Sequence, residues 1–213
     1  MQRMRVRFSR GEEVKFISHL DIIRLWQRAL LRAGIPLAYS EGFNPHPRIS
    51  LAVPLAVGVT SEAELMDVFC ASVVSPHWFQ DAVSQQLPPG VTILQTYQLP
   101  LTIPSLQSMV RWAEYKVSLA DGQTTEAVNA AITRILAAND IPWQHHRDTG
   151  VRNYNLRVLI DTLQLVELNA DHLTIAMRLR CDSSGSGRPE QVAAALGFTE
   201  QPVSIHRTKL VLG

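Results

Sequence analysis

The residues best suited to chemistry lie in a short loop with two prolines, Gly42–Arg48, which reads G-F-N-P-H-P-R. Each proline restricts its own φ angle and pushes the residue before it toward extended backbone, so the loop is expected to be stiff. It carries an aromatic ring at Phe43, an amide at Asn44, an imidazole at His46 and a guanidinium at Arg48. A stiff loop that holds such groups in fixed positions is suited to ligand recognition. The alternative interpretation is a rigid connection whose polar residues face water.

Two rows of arginine give the N-terminal part of the chain a basic character. Residues Arg3–Arg10 alternate in type, which predicts a strand with Arg3, Arg5 and Arg7 on the face opposite the core. A second row recurs every four residues on the predicted helix that follows and consists of Arg24, Arg28 and Arg32. Guanidinium groups bind phosphate oxygens through charge-assisted hydrogen bonds, so the rows indicate phosphate binding. Each row is also typical of a solvated face.

Two further positions carry weaker patterns. His19 falls in the first turn of the predicted helix, where the helix dipole favours a neutral imidazole, and with His46 it could serve as acid and base in RNA cleavage. The alternative role for His19 is capping or packing. Arg188 ends a loop of small residues, C-D-S-S-G-S-G-R-P, that leads into a helix, so an anion could dock there. The alternative is a flexible turn with a helix cap.

The elements that must position these residues repeat in the two halves of the chain. Residues 1–100 and 111–213 each predict the order strand, helix, strand, strand, helix, strand. Residues 101–110 are predicted as a linker, because the overlapping run Leu99–Ser108 has two prolines and no charge. Two βαββαβ runs predict an α+β fold of two tandem ferredoxin-like units with antiparallel sheets.

Composition restricts the classes of function. With 46% hydrophobic and 18% charged residues among 213, the chain can bury a core, and a net charge of +1 gives no overall attraction to nucleic acid or membrane. Basic residues are concentrated in residues 1–50, and residues 51–108 contain no Lys or Arg. The two cysteines, Cys70 and Cys181, cannot hold an iron–sulfur cluster or a four-thiolate zinc site. We expect a cytoplasmic protein without a metal site of its own.

Longer motifs resemble those of a known family. The runs V-K-F-I-S-H-L-D (Val14–Asp21) and R-A-G-I-P-L-A-Y-S-E-G-F-N-P-H-P-R-I-S-L-A-V-P-L-A-V-G (Arg32–Gly58) are similar to the radical-SAM-linked family of bacterial proteins. Shorter runs agree with them, at Ser61–Asp67, Ala113–Tyr115 and Ile205–Thr208. The resemblance implies a partner that is a radical SAM protein with a cobalamin-binding-like domain. It places the iron–sulfur cluster and S-adenosylmethionine on that partner, with no cofactor on this chain.

Three hypotheses for function remain open. The first is a non-catalytic accessory module that binds RNA or a ribonucleoprotein and works with a separate radical SAM enzyme in RNA modification or processing. Its substrate-binding residues would be Arg3, Arg5, Arg7, Phe43, Asn44, His46, Arg48 and Arg188. The second is a metal-independent, ferredoxin-like endoribonuclease that uses His19 and His46. The third is a protein-interaction scaffold based on residues 51–108. Neither DNA nor a membrane is expected as a partner.

Overall fold

The computed structural model describes residues 1–120, 123–147, 150–168 and 172–213. It divides into two compact units, one formed by Met1–Val110 with Leu212–Gly213 and the other by Arg111–Val211. Both units combine helices with antiparallel strands, so the α+β class is confirmed. No helix in the described ranges is both long and apolar enough to span a membrane.

The first unit has the element order predicted for the first half of the chain, followed by one short helix. Its elements are β1 (Gln2–Arg10), α1 (His19–Arg32), β2 (Ile49–Leu51), β3 (Thr60–Cys70), α2 (Pro76–Ser84), β4 (Val91–Leu99) and α3 (Leu106–Met109). The strands lie side by side in the order β2-β3-β1-β4, and each of these pairings is antiparallel.

The core of the first unit lies between this sheet and the buried faces of its two longer helices. Met4, Val6 and Phe8 on β1 are fully buried, as their alternation predicts. Phe8 packs edge-on against Trp26 of α1, with the ring centroids 4.8 Å apart. Ser18 caps α1 by accepting a hydrogen bond from the backbone nitrogen of Asp21, so the helix begins close to the predicted position.

The stretch predicted as a linker, residues 101–110, belongs to the first unit. Leu106 is 1% exposed, and the side chain of Gln107 donates a hydrogen bond to the carbonyl oxygen of Leu51 at 2.9 Å. Because this stretch carries no charged side chain and Pro104 has no backbone donor, it can lie on a sheet at a low cost of burying polar groups. It therefore covers part of the sheet instead of spanning open solvent.

The second unit contains more elements than the six predicted. They are β5 (Val110–Ala120), α4 (Thr125–Ala137), β6 (Pro142–Arg147), β7 (Gly150–Asn155), β8 (Ile160–Leu168), β9 (His172–Asp182), β10 (Gly185–Ser186), α5 (Pro189–Ala195) and β11 (Ser204–Leu212). β8 and β10 pair with β9, which pairs with β5, and β11 lies on the other side of β5. β6 and β7 form a separate two-stranded sheet, so this unit contains more strands than the predicted βαββαβ order.

Candidate functional site

The proline loop is fixed at its base by backbone hydrogen bonds. The backbone nitrogen of Arg48 donates to the carbonyl oxygen of Ala38 at 2.8 Å, and that of Phe69 on β3 donates to the carbonyl oxygen of Arg48 at 3.0 Å. Ser40 closes the loop, because its nitrogen donates to the carbonyl oxygen of His46 and its Oγ accepts from the nitrogen of His46. The residues between Ser40 and His46 therefore project from an anchored base.

The tip of the loop presents its side chains to solvent. Phe43 is as exposed as it would be in an isolated peptide, with a relative accessibility of 107%. Asn44 and His46 are also exposed. Gly42 has a φ of +120°, a conformation that L side chains rarely adopt, and this turns the chain at the tip. A phenylalanine held here adds nothing to the core and is available for stacking.

Beside the loop, two of the predicted site residues meet on one ring. The guanidinium carbon of Arg48 lies 4.5 Å from the centroid of Phe69, and that of Arg3 lies 5.7 Å from it. Nη1 of Arg48 also lies 3.2 Å from Sδ of Met1. These residues line a cleft of about 290 Å³, and Asp67 and part of the stretch 101–110 complete its lining. Arg48 is exposed, so its charge can reach a ligand.

Arg3 and Arg5 were predicted to face a ligand, and the structure buries both instead. Each is 3% exposed, and both bind Asp67, which is 1% exposed. Nη2 of Arg3 lies 2.6 Å from Oδ2 of Asp67, and Nε of Arg5 lies 2.7 Å from Oδ1. Arg3 also donates to the carbonyl oxygens of Ile103 and Pro104. Burial opposes the charge of Arg5, but its hydrogen bonds and attraction to Asp67 raise its pKa above the ordinary value.

The other two predicted arginines lie elsewhere. Arg7 is exposed and donates from Nη2 to the carbonyl oxygen of Glu62 at 3.2 Å, so it remains a surface cation. Arg188 lies in the second unit, where it precedes α5, and its Nη1 is 3.9 Å from Oε1 of Glu190. It is not part of the cleft in the first unit.

The two histidines of the nuclease hypothesis lie on different elements, His19 at the start of α1 and His46 in the proline loop. Burial lowers the pKa of His19, the charge of Arg10 lowers it further, and that of Glu64 opposes the change. His19 is therefore neutral, as expected, but mainly because it is half-buried. The loop that holds His46 is bonded to β3 at Phe69, five residues beyond Glu64, the carboxylate that acts on His19. Among the described residues no hydrogen bond or ion pair joins His19 to His46, and their role as acid and base stays a prediction.

Sequence reasoning missed Asp67, Phe69 and Ser40. Asp67 interrupts an apolar strand, and alternate positions of a strand share a face, so Asp67 and Phe69 could have been grouped from the sequence. Their partners Arg3 and Arg48 come from distant segments, so these contacts could not be predicted from the sequence. Within the described residues, no three His, Cys, Asp or Glu side chains are grouped to hold a metal ion.

The sequence matches the model of a protein family over most of its length. The family described as "Uncharacterized protein conserved in bacteria (DUF2344)" matches residues 3–189, which include the loop and both residues of the cleft that approach Phe69. The chain belongs to this bacterial family. No curated protein matches the sequence.

Solved structures with a similar fold include one chain from a Cbf5-Nop10-Gar1 complex and one from a ribonucleoprotein bound to RNA. A chain in the crystal structure of a Cbf5-Nop10-Gar1 complex is 9% identical with a TM-score of 0.53, over 97% of this chain and 48% of that chain. A chain in the structure of an H/ACA RNP bound to a substrate RNA containing 2'-deoxyuridine gives the same identity and TM-score, over 97% of this chain and 47% of that chain. The present chain thus spans about half the length of the chains it matches. At this identity the similarity concerns the fold alone.

Proposed function

We propose that this chain is an accessory RNA-binding module that presents RNA, or a ribonucleoprotein, to a separate radical SAM enzyme for modification or processing. One observation carries the proposal: a loop anchored at both ends holds Phe43 fully exposed, close in sequence to the exposed Arg48. Stacking of a base on an aromatic side chain contributes about 1–3 kcal/mol. The guanidinium of Arg48, five residues further along the chain, can bind a phosphate of the same strand. These are the elements of single-stranded RNA recognition.

The fold supports this proposal without deciding it. One of the similar solved structures holds a substrate RNA, which is a property of that complex. The strand order β2-β3-β1-β4 of the first unit is consistent with a ferredoxin-like arrangement. We extend this description to the second unit, with the β6–β7 hairpin as an insertion. Many RNA-binding domains place single-stranded RNA beside such sheets.

The radical SAM partner is proposed from the family motifs and from the cysteine chemistry. A radical SAM cluster needs several thiolates, and this chain has two cysteines, both buried, one in each unit. The iron–sulfur cluster and S-adenosylmethionine would therefore be held by the partner. The role left for this chain is to bind and position the RNA in the cytoplasm.

The loop can be tested by fluorescence anisotropy with a labelled single-stranded RNA of about 12 nucleotides, which fits the usual site size. We expect Phe43→Ala to weaken binding by about 5- to 150-fold, the equivalent of one lost stacking interaction. We expect Arg48→Gln to lower the slope of log affinity against log salt by about 0.7, because it removes one phosphate contact. Phe16→Ala is the matched control, since Phe16 is an exposed aromatic residue at 72% outside the loop.

Several outcomes would overturn the proposal. Wild-type protein that shows no salt-dependent binding of RNA would favour the protein-interaction scaffold. An effect of Phe16→Ala equal to that of Phe43→Ala would show that the loop has no special role. Cleavage of RNA in EDTA that is lost in His19→Ala or His46→Ala would favour the endoribonuclease. Co-purification with the radical SAM partner, followed by sequencing of the bound RNA, tests the accessory role.

A further inference from the structure

A second surface of the first unit has the character of a binding site and shares no residue with the cleft beside the loop. It is a groove of about 530 Å³ between α1 and the connection from α2 to β4. Leu25 and Leu87 contribute to its apolar lining, and Arg24, Arg28 and Arg32 line it as well. Its volume lies in the range of about 300–1,000 Å³ that is usual for ligand sites.

The three arginines form a ladder along the groove. They are spaced at four-residue intervals, so they share one face of α1 and follow one another at about 6 Å along the axis. Nη2 of Arg32 donates to the carbonyl oxygen of Gln86 at 2.8 Å, across the groove. Nη1 of Arg24 donates to Oδ1 of Asp21 at 3.1 Å. Two of the three guanidinium groups are therefore oriented in the absence of a ligand.

The charge balance of the groove favours an anionic ligand. Its lining contains three arginines and one acidic residue, Asp21. A hydrogen bond from Ser18, and then one from Arg24, lower the pKa of Asp21, so it remains ionised and offsets one of the three positive charges. An excess of two positive charges beside an apolar surface distinguishes the groove from an ordinary solvated arginine row.

We infer that this groove binds the phosphodiester backbone of the RNA strand. The inference rests on the proposed function and adds a second contact, in which successive arginines bind successive phosphates. The spacing of the ladder along the helix is comparable to the distance between neighbouring phosphates of an extended strand. Contacts of this kind fix the position of the strand but do not read its bases. We therefore expect the groove to contribute affinity without sequence preference.

The test replaces Arg24, Arg28 and Arg32 with glutamine and measures RNA affinity by anisotropy over a range of salt concentrations. Two to three lost phosphate contacts lower the log–log salt slope by about 1.4 to 2.1, at about 0.7 per contact with a single strand. If the variant and the wild type bind equally at 1 M salt, these slope differences make the variant bind about 14- to 50-fold more weakly than the wild type at 0.15 M salt. All three side chains are exposed, so the thermal unfolding of the variant should match that of the wild type. Arg28→Gln alone gives a second, milder variant with a slope change of about 0.7.

The matched control removes the same number of positive charges from exposed positions in the second unit, at Lys116, Arg134 and Lys209. A control effect equal to that of the groove variant would overturn the inference, because it would show that only net charge matters. An unchanged salt slope in the groove variant, together with weaker binding by Phe43→Ala, would overturn the inference and leave the proposed function intact. Wild-type protein that does not bind RNA would overturn both. Binding of an acidic protein segment in the groove, with no binding of RNA there, would also refute the inference about the groove.

Discussion

Replacement of Asp67 by asparagine tests the buried charge network that lies under the cleft. Asp67 accepts four hydrogen bonds, two from Arg3 and two from Arg5, at 2.6 to 2.9 Å. Without the carboxylate, two buried guanidinium groups lose their counter-charge, although Arg3 keeps the carbonyl oxygens of Ile103 and Pro104 and Arg5 keeps a hydrogen bond with Tyr97. Removing one partner of a buried ion pair costs about 3–5 kcal/mol. Since a whole domain is stable by about 5–15 kcal/mol, the first unit should be severely destabilised.

The assay uses the buried thiol of Cys70 in the first unit, with Cys181→Ser as the background. Cys70 is 0% exposed and burial raises its pKa, so it reacts with a thiol reagent only when the first unit opens. Asp67→Asn should speed labelling by about two to four orders of magnitude, at about 1.4 kcal/mol per decade. Asp81→Asn, which removes an exposed partner of His77, should change the rate by less than about fivefold. Labelling of the Asp67 variant within fivefold of the wild type would refute the reasoning.

Two other substitutions have defined outcomes. The pKa of His19 falls below 6.5 on folding. Below about pH 6.5 the unfolded chain therefore takes up a proton at His19 that the native chain does not. The contribution of His19 to stability is complete above about pH 6.5 and is lost as the pH falls below that value. His19→Gln should therefore reduce the change in the urea midpoint between about pH 7.5 and about pH 5.5, and an undiminished change would contradict the assignment. Gly42→Ala should lower the free energy of unfolding by about 1–3 kcal/mol, because alanine is strained at a φ of +120° although no atom lies within 4 Å of the added methyl group. Urea unfolding of the Gly42 variant at an unchanged midpoint would show that the tip does not hold this conformation.

The first strand shows what an alternating sequence can and cannot predict. Alternation identified the strand and its core residues, and Met4, Val6 and Phe8 are all fully buried. It could not show what lies against the arginine face. That depends on the register between β1 and β3, which sets Asp67 directly opposite Arg5. The same pattern is compatible with a solvated row and with a buried ion-pair network, so the role of the arginines could not be predicted.

Local chemistry was a better guide in the loop than in the stretch that follows β4. The prolines restrict the backbone and Gly42 permits a positive φ, so an anchored loop with a sharp turn at its tip could be expected from the sequence. Residues 101–110 also contain a proline, Pro104, and no charge, which is compatible with a linker and with a covering segment. Only the distant partners of this stretch distinguish the two, namely Arg3, which donates to its carbonyl oxygens, and Leu51, which accepts from Gln107.

The contrast between Arg3 and Arg48 explains how one ring can serve both stability and recognition. Both guanidinium groups approach Phe69, but Arg3 is buried and its charge is matched by Asp67, whereas Arg48 is exposed. The described side-chain contacts of Arg48 are the ring and the thioether of Met1, which orient its guanidinium without neutralising it. Asp67 fixes Arg3, and Arg3 approaches the same ring as Arg48, so the buried ion pair helps to hold the ring against which Arg48 lies. The network that stabilises the first unit thereby positions the exposed cation that we propose for RNA binding.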